Sequence, residues 1–408
     1  RCRAAGGPPP PRPETTPGVG ATCATLEARF DAARTANGAS LAQYADLGTS
    51  LDSATAILGR ALRVPRDSGT VARVRAFAGG GTPRRAREFY LRLAAEGITA
   101  EALRDGRKSL EDLARYGYNV NYDPRPAVGD TPAAGRRYGN ADATGPDPLH
   151  GTHVAGIVGA RPAQRIASDS GARGVAPPGA VRLMSLRVTP DGDERDKDVA
   201  NAIRYAVDHG ALVINMSFGK AYSPEKPVVD SAVRYADSRG VLMVHAAGNE
   251  GSNNDVNENF PTPRYLDGAR AAHWLEVGAS TFRRDRRLPA RFSNYGRTSV
   301  DLFAPGQDIL STLPGGTFGR ESGTSMAAPT VSGAAALLLA YFPRLTGADV
   351  RRLLVATATR YPALTVTRPG DEASVPFASL SVSGGVLNVY EAVRAALADE
   401  ARRPAAQP

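Results

Sequence analysis

Three polar side chains lie in surroundings that could make them reactive. Ser325 sits in Gly323-Thr324-Ser325-Met326-Ala327-Ala328-Pro329, ahead of a run of small residues and then leucines, Thr330 to Leu339. That pattern predicts a serine in the first turn of a buried helix. There, unpaired backbone N–H groups and the helix dipole favour a developing negative charge. His150 opens His150-Gly151-Thr152-His153-Val154-Ala155-Gly156, and Asn249 lies in Ala246-Ala247-Gly248-Asn249-Glu250-Gly251. A serine nucleophile needs a base titrating near neutrality, which histidine supplies, and donors for a tetrahedral oxyanion, which an asparagine amide can provide. Each residue also has an ordinary reading: a helix N-cap, a packed core histidine, a Gly-Asn turn. Only together do they suggest acyl transfer. His153, three residues further on, is expected to be structural.

Such a site needs elements that hold residues far apart in sequence at one edge. From residue 150 onward, apolar runs alternate with helical patterns. Val181–Val188, Ala211–Met216, Val241–Ala247 and Leu275–Ala279 read as strands; Asp198–Asp208 and Pro227–Ser238 read as helices. This alternation predicts an α/β fold: a doubly wound, mostly parallel sheet with helices on both faces and functional groups at the strands' carboxyl ends. A further helix is expected after Thr346, a plausible N-cap. A loop or short hairpin is expected over 359–384, and a strand-to-helix element over Val386–Leu397.

Upstream, residues 23–118 read as all-α. Leu26, Phe30 and Ala33 share a face, as do Leu51, Ala54, Ile57 and Leu58. Pro83–Ala95 and a stretch from Thr99 toward Leu113 give two more helices. Residues 1–22 are rich in Pro and Gly and read as a tail. The expected division is therefore a 1–22 tail, a 23–118 helical segment, a 119–147 linker, a 148–398 α/β domain and a 399–408 tail.

The 408 residues are 42% hydrophobic and 22% charged, a globular composition, with no apolar run read as spanning a membrane. Net charge is +9, almost entirely from Arg, with Lys only at 108, 197, 220 and 226. No dense basic block is interleaved with aromatics, which argues against nucleic-acid binding. Cys2 and Cys23 are the only cysteines and could bridge, but nothing around them requires it. No Cys/His metal spacing is present.

These motifs, with Asn215-Met216-Ser217-Phe218-Gly219 and Phe303-Ala304-Pro305-Gly306, resemble those of the subtilisin-like serine proteases (subtilases, peptidase S8) over roughly 148–398. The order His before Ser agrees with that family. The resemblance implies a subtilisin-like fold and a secreted or cell-envelope endopeptidase acting on protein or peptide substrates. It makes His150 the general base, Ser325 the nucleophile and Asn249 the oxyanion donor. It places Ser217-Phe218-Gly219 and Ala246-Ala247-Gly248 along an extended substrate and Gly192 on the opposite strip, where Asp191, Asp193 and Glu194 suggest a preference for basic side chains upstream of the cut. Calcium is possible by the same resemblance, with no acidic loop to assign it to.

The resemblance also implies an aspartate at the end of a buried strand upstream of His150. Asp67, in Asp-Ser-Gly, follows Pro65 and Arg66 rather than a β-branched run. Asp123 follows an alternating Tyr118–Tyr122 but precedes Pro124 and Pro126. The expectation is therefore that the third triad member lies outside this sequence, that the chain is N-terminally truncated, and that 23–118 is a helical insertion of a bacterial type. The alternatives are a non-catalytic, Asp-lacking peptide-binding domain or inactive fragment, and a helical interaction module as the main functional unit.

Overall fold

The structure is a computed structural model. It describes residues 23–65, 70–96, 98–131, 135–136, 138–145, 147–161, 172–189, 192 and 194–402. The predicted 1–22 tail, Asp67 and the Cys2–Cys23 question lie outside them. The chain divides into two compact units, Arg1–Pro126 with Asp191–Asp193, and Ala127–Pro190 with Glu194–Pro408.

The first unit is helical: α1 (Cys23–Leu62), α2 (Val71–Ala76), α3 (Gly81–Ala95) and α4 (Ala100–Asp112), with the short α5 (Arg125–Val128) beginning at its end. Leu51, Ala54 and Leu58, spaced along one stripe of α1, are buried. Ala54 and Leu58 pack with Val74 and Ala86, and Leu51 with Leu93 and Leu103. The Phe30 stripe is weaker than its spacing suggests, because Ala33 is exposed.

The second unit runs α6 (Leu149–Gly159), α7 (Asp196–Asp208), β1 (Val213–Met216), α8 (Lys226–Ser238), β2 (Leu242–Ala246), β3 (Trp274–Ser280), β4 (Leu302–Pro305), β5 (Ile309–Leu313), β6 (Thr317–Glu321), α9 (Thr324–Tyr341), α10 (Gly347–Ala356), β7 (Thr359–Arg360), β8 (Thr365–Thr367), β9 (Ser374–Pro376), β10 (Gly385–Val386) and α11 (Val389–Arg402). The main sheet has the order β1-β2-β3-β4-β10-β7. All its pairs are parallel except β10 with β7. β5–β6 and β8–β9 form antiparallel two-stranded ribbons.

Strand alternation explains the layers. Leu242, Val244 and Ala246 of β2 join Leu275, Val277 and Ala279 of β3 against Ala327, Val331, Ala334 and Leu338 of α9. Met243 and Trp274 point the other way, into a cluster with Val199 and Ile203 of α7 and Val229 and Val233 of α8. Helices therefore cover both faces, as the sequence alternation predicted. α9 is long and apolar enough to cross a membrane, but 67% of it is buried here. It is the central helix of this core.

One predicted strand is absent. Val181–Val188 pairs with nothing among the described residues and carries no strand assignment. Leu183 and Met184 are exposed at 53% and 44%. The apolar composition is that of a strand, but β1 is the edge of the sheet and no ladder joins this segment to it.

Candidate active site

Ser325 is the second residue of α9, after the N-cap Gly323 and Thr324. Its carbonyl would ordinarily accept the N–H of residue 329, but Pro329 has none. The Ser217 hydroxyl takes that place, donating to the Ser325 carbonyl at 2.8 Å. Ser217 is held in turn: Ser332 Oγ donates to Asn215 Oδ1 at 2.9 Å, and Asn215 Nδ2 donates to Ser217 Oγ at 2.9 Å. The Ser325 hydroxyl donates to the Ser217 carbonyl at 3.3 Å. The proline in the motif thus ties the first turn of α9 to the residues just past β1.

Asn249 follows β2 in the loop opened by Gly248, whose φ of 108° is left-handed. The Asn249 Oδ1 accepts both the Thr324 N–H at 2.9 Å and the Thr324 hydroxyl at 3.0 Å. The Gly248 N–H donates to Thr324 Oγ1 at 3.1 Å. With its oxygen committed, Asn249 has its amide nitrogen to offer. A Cβ built on Gly323 would lie 3.5 Å from Ser325 N and 3.6 Å from Asn249 Nδ2. Two donors therefore flank the same small space beside the serine. Gly306 of the Phe303–Gly306 motif closes it from behind: its carbonyl accepts the Gly323 N–H at 2.8 Å, and a Cβ there would meet the Gly323 oxygen at 2.8 Å.

His150 is the second residue of α6, a helix that packs on α9 and β5. It is exposed by area. Desolvation by the surrounding protein, with repulsion from His153, still holds its pKa below the ordinary imidazole value, against the pull of Asp147. His153 is buried and structural: its Nε2 lies 3.0 Å from the Ile309 carbonyl and 3.3 Å from that of Gly319, so that nitrogen donates to the β5–β6 ribbon.

The remaining predicted positions fall as follows. Ala246 ends β2, and Ala247 is buried just beyond it. Asn259 Nδ2 donates to the Ala246 carbonyl at 3.0 Å and packs against Gly219. Asn294 Nδ2 donates to the Ala247 carbonyl at 3.0 Å. Phe218 sits between Ser217 and Gly219, and its carbonyl lies 2.8 Å from His245 Nε2. Gly192 belongs to the helical unit, and Asp191 and Asp193 lie outside the described residues. Glu194 is buried rather than part of a solvated acidic loop.

The subtilase family profile matches residues 109–377. The chain belongs to the subtilase family. It is 39% identical to a subtilisin of Bacillus pumilus over 213 residues, covering 52% of this chain and 70% of that protein. Subtilisin NAT of Bacillus subtilis subsp. natto is 40% identical over 214 residues, covering 52% of this chain and 50% of that protein. The major intracellular serine protease of Bacillus subtilis is 38% identical over 192 residues, covering 47% and 55%. The chain thus spans only about half the length of several curated relatives it matches. Among solved structures, the prenylagaramide maturation protease PagA aligns with a TM-score of 0.46 and 28% identity, over 61% of this chain and 83% of that one.

For a subtilase, three supporting residues were not foreseen as functional: Thr324, Pro329 and Asn215. Thr324 and Pro329 stood in the quoted serine motif, but the groups that engage this turn, Gly248 and Asn249 past β2 and Ser217 past β1, are out of reach of local spacing. The upstream aspartates of the second unit are already engaged. Asp130 pairs with Lys197 and Arg195; Asp142 accepts the Thr144 and Gly145 N–H groups and pairs with Arg187; Asp147 accepts the Leu149 N–H. Asp123, in the other unit, is tied to Arg125. Among the described residues, no group of three or more His, Cys, Asp or Glu could hold a metal ion. Calcium is therefore assigned no ligands and enters no step.

Proposed function

We propose that this subtilase is a serine endopeptidase working through a Ser325 acyl-enzyme. Ser325 Oγ attacks the scissile carbonyl while His150 accepts its proton. The tetrahedral oxyanion is held by Asn249 Nδ2 and the Ser325 N–H. Collapse breaks the peptide bond, and His150 returns the proton to the leaving amine. A water molecule, activated by the same histidine, then releases the acyl group. The substrate lies extended along Ser217–Gly219 and Ala246–Gly248 as an added strand.

The observation that carries this reading is the pair of donors flanking one space beside Ser325, with Asn249 locked in orientation by Thr324. The carboxylate that orients His150 is assigned to none of the described residues. Asp147 is the carboxylate whose charge reaches the ring. We also infer a secreted or cell-envelope setting. A relative is named as intracellular, so cell fractionation of the producing organism decides that point.

A fluorophosphonate probe tests the chemistry. Covalent labelling is expected at Ser325, lost in Ser325→Ala and strongly slowed in His150→Ala. Asn249→Ala should slow turnover about 10²–10³-fold, the range known for such a donor in subtilisin itself. A folded chain that labels equally well without His150 would overturn the assignment.

A further inference from the structure

The buried histidine His245 takes no part in the mechanism above, and its surroundings are unusual for a sheet core. It lies in β2, opposite Met216 of β1 and Glu276 of β3, and is fully buried. Its Nδ1 is 2.9 and 3.1 Å from the two Glu276 carboxyl oxygens. Its Nε2 is 2.8 Å from the Phe218 carbonyl. A carbonyl oxygen only accepts. A Glu276 carboxylate also only accepts, and its Oε2 already takes the Trp274 indole N–H at 2.9 Å. With Glu276 ionised, both ring nitrogens donate, which requires the charged, doubly protonated ring. A cation at this depth needs a partner charge, and Glu276 supplies it.

We propose that His245 is a positioning residue: an imidazolium clamped between Glu276 and the Phe218 carbonyl, fixing the Ser217–Gly219 strip on which the extended substrate lies. The proposal rests on the peptidase reading of that strip. The carbonyl of Phe218 is held from below, which orients the neighbouring peptide groups of Ser217 and Gly219 for a substrate strand. Burial alone would push the ring's pKa down; the Glu276 charge and hydrogen bond, the Phe218 carbonyl and the charge of Glu194 outweigh it and raise it. The other charges around the clamp stand behind Glu276. Asp301 Oδ2 accepts the Glu276 N–H at 2.8 Å and pairs with Arg351 and Arg270.

The test uses the full chain labelled with ¹⁵N-histidine. Both His245 nitrogens should be protonated well above the ordinary imidazole pKa of about 6.5; a neutral ring in the folded chain overturns the proposal. Glu276→Gln keeps the shape and removes the charge, so the ring should become neutral within the working pH range. Acetyl-tetra-alanine amide is then used to protect Ser325 from the fluorophosphonate. In the wild type, protection should not change with pH across the imidazole range. In Glu276→Gln it should stay pH-independent too, because a neutral ring keeps its Nε2–H on the Phe218 carbonyl while the Gln amide donates to Nδ1. His245→Leu removes the donor, and the peptide concentration needed for protection should rise about three- to tenfold, the loss of one hydrogen bond. His245→Gln, which keeps a donor, should recover protection. A merely structural role would lower melting temperature without changing protection. Unchanged protection in a folded His245→Leu would sink the proposal while leaving the peptidase reading intact. Should the peptide never protect wild-type Ser325 while the ring is doubly protonated, the strip reading fails and the proposal with it.

Discussion

At the residue scale, the proposed base, His150, is tuned by what surrounds it. Desolvation first, then His153, lowers the His150 pKa, and Asp147 opposes them. A general base works in its neutral form, so lowering its pKa extends activity toward acid. The rate of fluorophosphonate labelling should therefore rise with pH through a midpoint below the free imidazole value of about 6.5. Asp147→Asn removes the one opposing charge and should move that midpoint further down. A profile that moves up instead would remove Asp147 from the electrostatics of the site. The candidates Ser325, His150 and Asn249 stand out in the sequence because each sits in a short glycine-containing motif whose chemistry is local. The proposed roles of Thr324 and His245 do not, because Asn249, in the loop past β2, is 75 residues from Thr324, and Glu276, on β3, is 31 residues from His245. No periodicity records such a pairing.

At the element scale, two backbone features hold the site, and each can be removed by one substitution. Gly248 takes a left-handed φ, and a Cβ there would lie 2.4 Å from Asn294 Nδ2. Gly248→Ala should displace the loop presenting Asn249. Labelling should fall by an order of magnitude or more, on the scale of losing an oxyanion donor, while far-ultraviolet circular dichroism stays unchanged. Pro329→Ala restores an N–H that competes with Ser217 Oγ for the Ser325 carbonyl. It should slow labelling without lowering the melting temperature, because it adds a helical hydrogen bond while loosening the site. The sheet itself was legible where strands are long apolar runs, as in β2 and β3. β4 lies in Phe303-Ala304-Pro305-Gly306, where proline and glycine read as loop, and the β5–β6 ribbon carries too little alternation to stand out. Val181–Val188 shows the opposite error, since strand composition without a neighbouring strand gives no ladder.

At the scale of the whole molecule, the sheet is unequally protected. β2 and β3 are buried along their entire lengths, as expected of parallel strands covered on both faces. Truncating the core under them should be costly. Leu338→Ala, at a fully buried α9 position, should destabilise the second unit by about 2–5 kcal/mol in denaturant titrations. β1 differs: it ends the sheet, is mostly half-buried, and is preceded by Leu212, which is 65% exposed. Leu183 and Met184 add apolar surface from an unpaired segment of the same unit. An apolar open edge is a template for pairing with another chain. The net charge of +9 opposes that association by repulsion between copies, but only until salt screens it. Light scattering should therefore rise with ionic strength in the wild type. Leu212→Lys places a charge at the start of the edge strand and should suppress that rise, leaving Ser325 labelling unchanged because Leu212 lies at the opposite end of β1 from Ser217. Scattering that rises equally in both proteins would show that association uses another surface.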